Sequence, residues 1–125
     1  GASRVILSMM MKCDLIPILC REILREYLRV IHYPRIVKKI APMEVYPILD
    51  IIHRKAMYVE CEGKIRVCRD PEDDKFIEIS AKTSAPLLTL DDDILDLRNE
   101  TKIFEANERQ IRILRPEEFL REIRG

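Results

Sequence analysis

Two short stretches of this chain crowd carboxylates. Residues 69–76 read RDPEDDKF and place Asp70, Glu72, Asp73 and Asp74 within five positions. Residues 89–95 read TLDDDIL and place Asp91, Asp92 and Asp93 in a row. Like charges at such spacing repel, so something must relieve them. Acids at a helix start do this in part, because they cap backbone amides and complement the helix dipole. Asp70, with Asp73 three positions on, has the spacing of a cap and its partner. That leaves a surplus, which suits a hard divalent cation: Mg2+ or Mn2+ takes oxygen ligands and neutralises them. A calcium-binding EF-hand is excluded, since the loop starting at Asp70 has Lys75 where glycine is required and Ala81 where glutamate is required.

The charge distribution fits the same chemistry. Formal net charge is zero over 125 residues, but residues 70–93 hold eight acids against two bases, so the remainder is equally positive. Residues 21–39 hold six bases (Arg21, Arg25, Arg29, Arg35, Lys38, Lys39) against Glu22 and Glu26. A basic surface beside an acidic focus is suited to a polyanion held near a metal ion. Arg21, Arg25 and Arg29 recur every four residues and form one helical stripe, either a phosphate guide or a salt-bridged solvent face.

The elements that must position these groups follow from periodicity. SRVILSMMMK has helical spacing at Val5, Met9 and Lys12, with a strand reading left open. LIPIL reads as a strand and REILREYLRVI as an amphipathic helix. YPRIVKKI and APMEVYPILDIIHRKA read as helices begun or kinked by proline. MYVEC and IRVC read as strands about Glu62-Gly63. The run from Asp70 to Thr83 reads as a capped helix, APLLT as a buried strand, DDDILDL as a short helix, RQIRIL as a strand and RPEEFLREIRG as a closing helix. Alternating strands and helices imply one α/β domain with a mainly parallel sheet. In such sheets ligands bind beyond the carboxyl ends of the strands. Both acidic knots, and Glu26 one turn into its helix, fall at such corners.

Other candidates carry less. Cys13, Cys20, Cys61 and Cys68 form no CxxC pair and, with two histidines, no zinc spacing, so free thiols of a cytoplasmic protein are expected. His32 and His53 have no acid–base partner at a readable spacing. Met9 to Met11, Tyr27 and Tyr33 read as packing or interface residues. No apolar run reaches membrane length.

The stretch CRDPEDDKFIEISAKTSAPLLTLDDDIL resembles the acidic signature of PIN-domain proteins, the VapC-like toxin ribonucleases. LIPILCREILREYLRVIHYPRI is similar to that family's second strand and helix, and IRILRPEEFLREI to its last strand and helix. The resemblance implies a three-layer α/β/α sandwich and metal-dependent cleavage of single-stranded or structured RNA. By position, Glu26, Asp74 and Asp91 match the family's catalytic, metal-binding acids, Asp93 an accessory acid, and Asp70 with Asp73 the caps or supporting acids. An antitoxin protein and a homodimer are the implied partners. The family's opening strand, with its first metal-binding Asp, has no counterpart, so the expected domain over 1–125 is N-terminally incomplete, its first strand missing or replaced. A PIN-like module without nuclease activity, serving interaction or oligomerisation, is therefore the second expectation. A metal-dependent phosphoacceptor domain is the third, disfavoured because Arg115 and Pro116 follow the last strand where such domains carry lysine.

Overall fold

The computed structural model describes residues 1–125. Its elements are α1 (Ala2–Met11), β1 (Ile18–Leu19), α2 (Arg21–Val30), α3 (Pro34–Val37), α4 (Pro42–Lys55), β2 (Met57–Tyr58), a 3-10 turn (Pro71–Asp73), α5 (Asp74–Thr83), β3 (Leu87–Leu88), α6 (Asp92–Leu95), β4 (Ile103–Ala106), β5 (Arg109–Leu114) and α7 (Pro116–Arg124). They make an α/β protein whose chain divides into two compact units, Leu7–Glu60 and Cys61–Gly125 with Gly1–Ile6.

In the first unit β1 and β2 pair in parallel, Ile18 opposite Met57 and Leu19 opposite Tyr58. Bonds from Met57 N to Pro17 O and from Val59 N to Leu19 O extend the ladder. Extended Cys20 precedes α2, which buries Ile23 completely. Arg21, Arg25 and Arg29 lie on its exposed side. Proline opens α3 and α4, where its fixed φ suits the first turn and its missing N–H costs nothing. Pro47 lies inside α4.

The second unit holds a three-stranded sheet in the order β3-β5-β4. β3 runs parallel to β5, with Leu87 opposite Ile113 and Leu88 opposite Leu114. β4 runs antiparallel to it, with Ala106 opposite Arg109. The β4–β5 loop is Asn107-Glu108, both at positive φ (49° and 64°), the two-residue geometry that matches strand twist. Central β5 supplies fully buried Ile111 and Ile113, which pack with Ile65, Ile77, Ile94, Leu95 and Ala106. Arg98 fastens the edge of this unit: it donates to Ile113 O at 2.9 Å and grips Glu118 of α7 at 2.7 and 3.3 Å. Glu118 also accepts the Arg115 N–H at 2.7 Å, the carboxylate half of a capping box.

One expectation is corrected. Residues 65–68 (IRVC) form no strand; the amides of Val67 and Cys68 are taken by a side chain, as described below. The expected parallel pairing is present at β1–β2 and β3–β5, and β4, unread in the sequence, adds an antiparallel strand that folds back on β5 through a hairpin.

Candidate functional site

Three acids of the first knot have defined partners, while Asp73 stands at the N-cap of α5 without a side-chain cap bond. Asp70 is extended and its Oδ1 accepts the Glu72 N–H at 3.0 Å, capping the 3-10 turn that Pro71 opens. Glu72 pairs with Lys75 at 3.0 Å. Asp74 opens α5, and its Oδ1 accepts two backbone amides, Val67 N–H at 3.0 Å and Cys68 N–H at 2.7 Å. Burial pushes the Asp74 carboxyl up, but the Cys68 and Val67 amides, the Cys68 thiol and Arg66 outweigh it and hold its pKa below the ordinary value. Burial, reinforced by Asp74, pushes the Cys68 thiol up to about 12, so it stays a protonated donor at neutral pH.

One turn further along α5, Glu78 does the same for the start of the segment. It is 5% exposed and accepts the Gly63 N–H at 2.9 Å and the Glu62 N–H. Segment 61–68 is therefore held by carboxylates one turn apart on a helix, where a strand ladder would otherwise serve. Sequence reasoning missed this role for Glu78. The available signal was a glutamate on the inward face of an amphipathic helix, a position that demands hydrogen-bond partners.

In the second knot Asp91 caps α6, its Oδ1 accepting the Asp93 N–H at 2.9 Å. Thr89 Oγ1 accepts the Asp91 N–H at 3.0 Å and fixes the turn. Asp93 pairs with Arg69 at 3.2 Å, and Asp92 with Arg115 at 3.9 Å. Arg69 adjoins Cys68, so one short segment touches Asp74 of the first knot and Asp93 of the second. The two knots thus share a rim. They do not close into a cluster, since no three of their carboxylates offer oxygens within 4.8 Å of one another. The surplus of acids that called for a cation in the sequence finds protein partners in the fold: backbone amides for Asp74, Arg69 for Asp93 and Arg115 for Asp92.

The donor set still fits a hard divalent ion. Asp91 and Asp93 are exposed, and Asp74 Oδ2 takes none of the backbone bonds. These are oxygen donors of the kind Mg2+ and Mn2+ use. Glu26 lies half-buried on α2 of the first unit. There Arg21 sits over the Tyr58 ring, 5.9 Å from its centroid, and the Tyr58 hydroxyl bonds His53 Nδ1 at 2.5 Å. The Tyr46 hydroxyl bonds His32 Nε2 at 2.7 Å. Both histidines face tyrosines and neither faces an acid, and all four cysteines are free thiols. No helix is long and apolar enough to cross a membrane.

Comparison with known proteins fits this arrangement. The PIN domain matches residues 1–93, a span that includes Glu26 and both acidic knots and ends before β4. The similarity of IRILRPEEFLREI lies beyond it. An uncharacterised protein of Methanocaldococcus jannaschii is 30% identical over 78 residues, covering 62% of this chain. The chain spans 50% of that protein's length. No solved structure matches. With three quarters of its length in the matched span, the chain belongs to the PIN domain family.

Proposed function

We propose that this protein is a Mg2+- or Mn2+-dependent ribonuclease that hydrolyses RNA phosphodiester bonds, and that it is the toxin of a toxin–antitoxin pair with VapC-like relatives. The observation that carries the reading is the pair of acidic helix starts, Asp74 on α5 and Asp91 at α6, joined through residues 67–69 within a PIN-domain span. Glu26, Asp74 and Asp91 would hold the ion, with Asp93 accessory. Bound there, the ion supplies a Lewis acid and lowers the pKa of a coordinated water.

The chain's own residues do the rest. Amides of Val67 and Cys68 orient the Asp74 carboxylate and keep it ionised. Thr89 sets the Asp91 backbone, so that the side chain leaves the end of β3 at a fixed angle. Arg21, Arg25 and Arg29 offer exposed guanidinium groups to RNA phosphates. Cytoplasmic RNA, an antitoxin and a second copy of the chain are the partners of this reading.

Single-stranded RNA incubated with the protein and Mn2+ tests it. Cleavage that disappears in Asp91→Asn, with circular dichroism unchanged, is expected. A wild-type chain that cuts no faster than the variant sinks the reading. The partners found for Asp74, Asp92 and Asp93 favour a second reading, a PIN-like interaction module without nuclease activity. The same assay separates the two, because such a module leaves the RNA intact with either ion.

A further inference from the structure

We infer that Glu78 is the residue that positions Asp74. This rests on the proposed metal site and deepens it. Asp74 and Glu78 are four residues apart on α5, so their side chains leave the same face. They hold the two ends of a single segment. Glu78 takes the amides of residues 62 and 63, and Asp74 takes those of residues 67 and 68. Between them, Ile65 is 7% exposed and packs into the core. The segment has no strand partner, so its backbone bonds to α5 run through these two carboxylates, beside the Cys61 thiol on Lys75 O at 3.8 Å and the packing of Ile65, Val67 and Cys68 against the core.

Three features separate Glu78 from an ordinary surface acid. It is almost fully buried, both of its oxygens are used, and no buried polar side-chain atom of the chain is left without a partner. Its direct partners are reinforced from outside, since Glu62 itself reaches Lys64 at 2.9 Å and Lys82 of α5 at 3.6 Å. Releasing the Glu78 end lets residues 62–63 drift, and the drift reaches the Val67 and Cys68 amides that orient Asp74. Glu78 touches no substrate and no ion. It acts on the metal site only through the backbone, as outer partners of metal ligands do.

The test compares Glu78→Gln and Glu78→Asp with Glu72→Gln. Gln turns one oxygen into a donor that faces an N–H. Asp keeps the charge but shortens the reach by a methylene. Glu72→Gln removes a charge two residues from Asp74 without touching segment 61–68, and so reports the purely electrostatic loss. Two quantities are read on variants whose circular dichroism matches wild type: the Mn2+ dissociation constant by electron paramagnetic resonance, and hydrogen exchange at residues 62, 63, 67 and 68.

The inference expects Mn2+ affinity to fall about tenfold or more in both Glu78 variants. It expects a much smaller loss in Glu72→Gln, and faster exchange at 67 and 68 as well as at 62 and 63. Protection retained at 67 and 68 in the Glu78 variants overturns it, and so does a Glu72→Gln loss as large as theirs. If the wild-type chain binds no Mn2+, the metal reading fails by itself, and exchange at 67 and 68 still decides whether Glu78 holds Asp74. Should Glu78→Gln not fold, Glu78→Asp carries both measurements.

Discussion

At the level of single residues, acids that look redundant in the sequence have separate tasks. Asp70 was legible as a cap because aspartate before proline at a helix start has few other readings. The task of Asp74 was not legible, because its partners come from a segment whose own pattern points elsewhere. Replacing Asp74 by alanine leaves the Val67 and Cys68 amides without their acceptor and should cost about 1–3 kcal/mol. A urea titration showing the midpoint unmoved would remove the amide latch. Glu118 makes a sharper case. Its hydrogen bond from Arg98 is the largest influence and burial opposes it; the Arg115 amide and Lys102 add to the first, and the pKa falls from 4.5 to about 2. A carboxyl whose folded pKa is depressed adds stability above its unfolded value and loses it as pH falls through the folded one. The wild type should therefore lose stability between about pH 4.5 and pH 2, on the order of 1–2 kcal/mol after allowance for solvent screening. Glu118→Gln should be less stable at neutral pH and show a flatter profile across that window. Parallel acid titrations of the two proteins would refute the assignment.

At the level of elements, periodicity found all the helices and most strands, and it failed where backbone bonds go to side chains or turn through unusual residues. Ile65 and Val67 do alternate with exposed Arg66, the period of a strand. The burial is real, but the amides of residues 62, 63, 67 and 68 go to Glu78 and Asp74, which no alternation of hydrophobicity can show. β4 was missed because its hairpin turns on Asn107-Glu108, where the recognised signal is Asn-Gly. Glu108 pays a steric penalty at φ 64° that glycine escapes. Glu108→Gly should therefore stabilise the hairpin by about 0.5–1 kcal/mol, even though glycine is the more flexible residue in the unfolded chain. A thermal melt checks the sign. A lower midpoint would mean that the unfolded-state entropy outweighs the relieved backbone.

At the level of the whole molecule, the sequence carried the family and left the metal question open. Residues 7–60 carry nine bases and six acids, and the rest of the chain carries thirteen bases and sixteen acids, so the two units bear equal and opposite net charge. The family's acids are divided in the same way, with Glu26 in the basic unit and Asp74 and Asp91 in the acidic one. Sequence alone could assign them a common ion by position, but it could not see that Arg69 and Arg115 already neutralise acids of the second knot. These exposed pairs are weak, within about 1 kcal/mol each. An ion that binds the folded state only adds RT ln(1 + [L]/Kd), about 2.7 kcal/mol at a hundred times Kd. The ion should therefore prevail over the arginines once saturating. Saturating Mn2+ should raise the melting temperature of the wild type and leave Asp91→Asn unmoved. Glu26→Gln should lose the same rise if Glu26 shares the ion, and Asp91→Asn combined with Glu26→Gln should then lose no more than either alone. A Glu26→Gln protein that keeps the full rise would confine the ion to the acids of the second unit, and a wild type that shows no rise would leave Arg69 and Arg115 as the permanent counter-ions of the second knot.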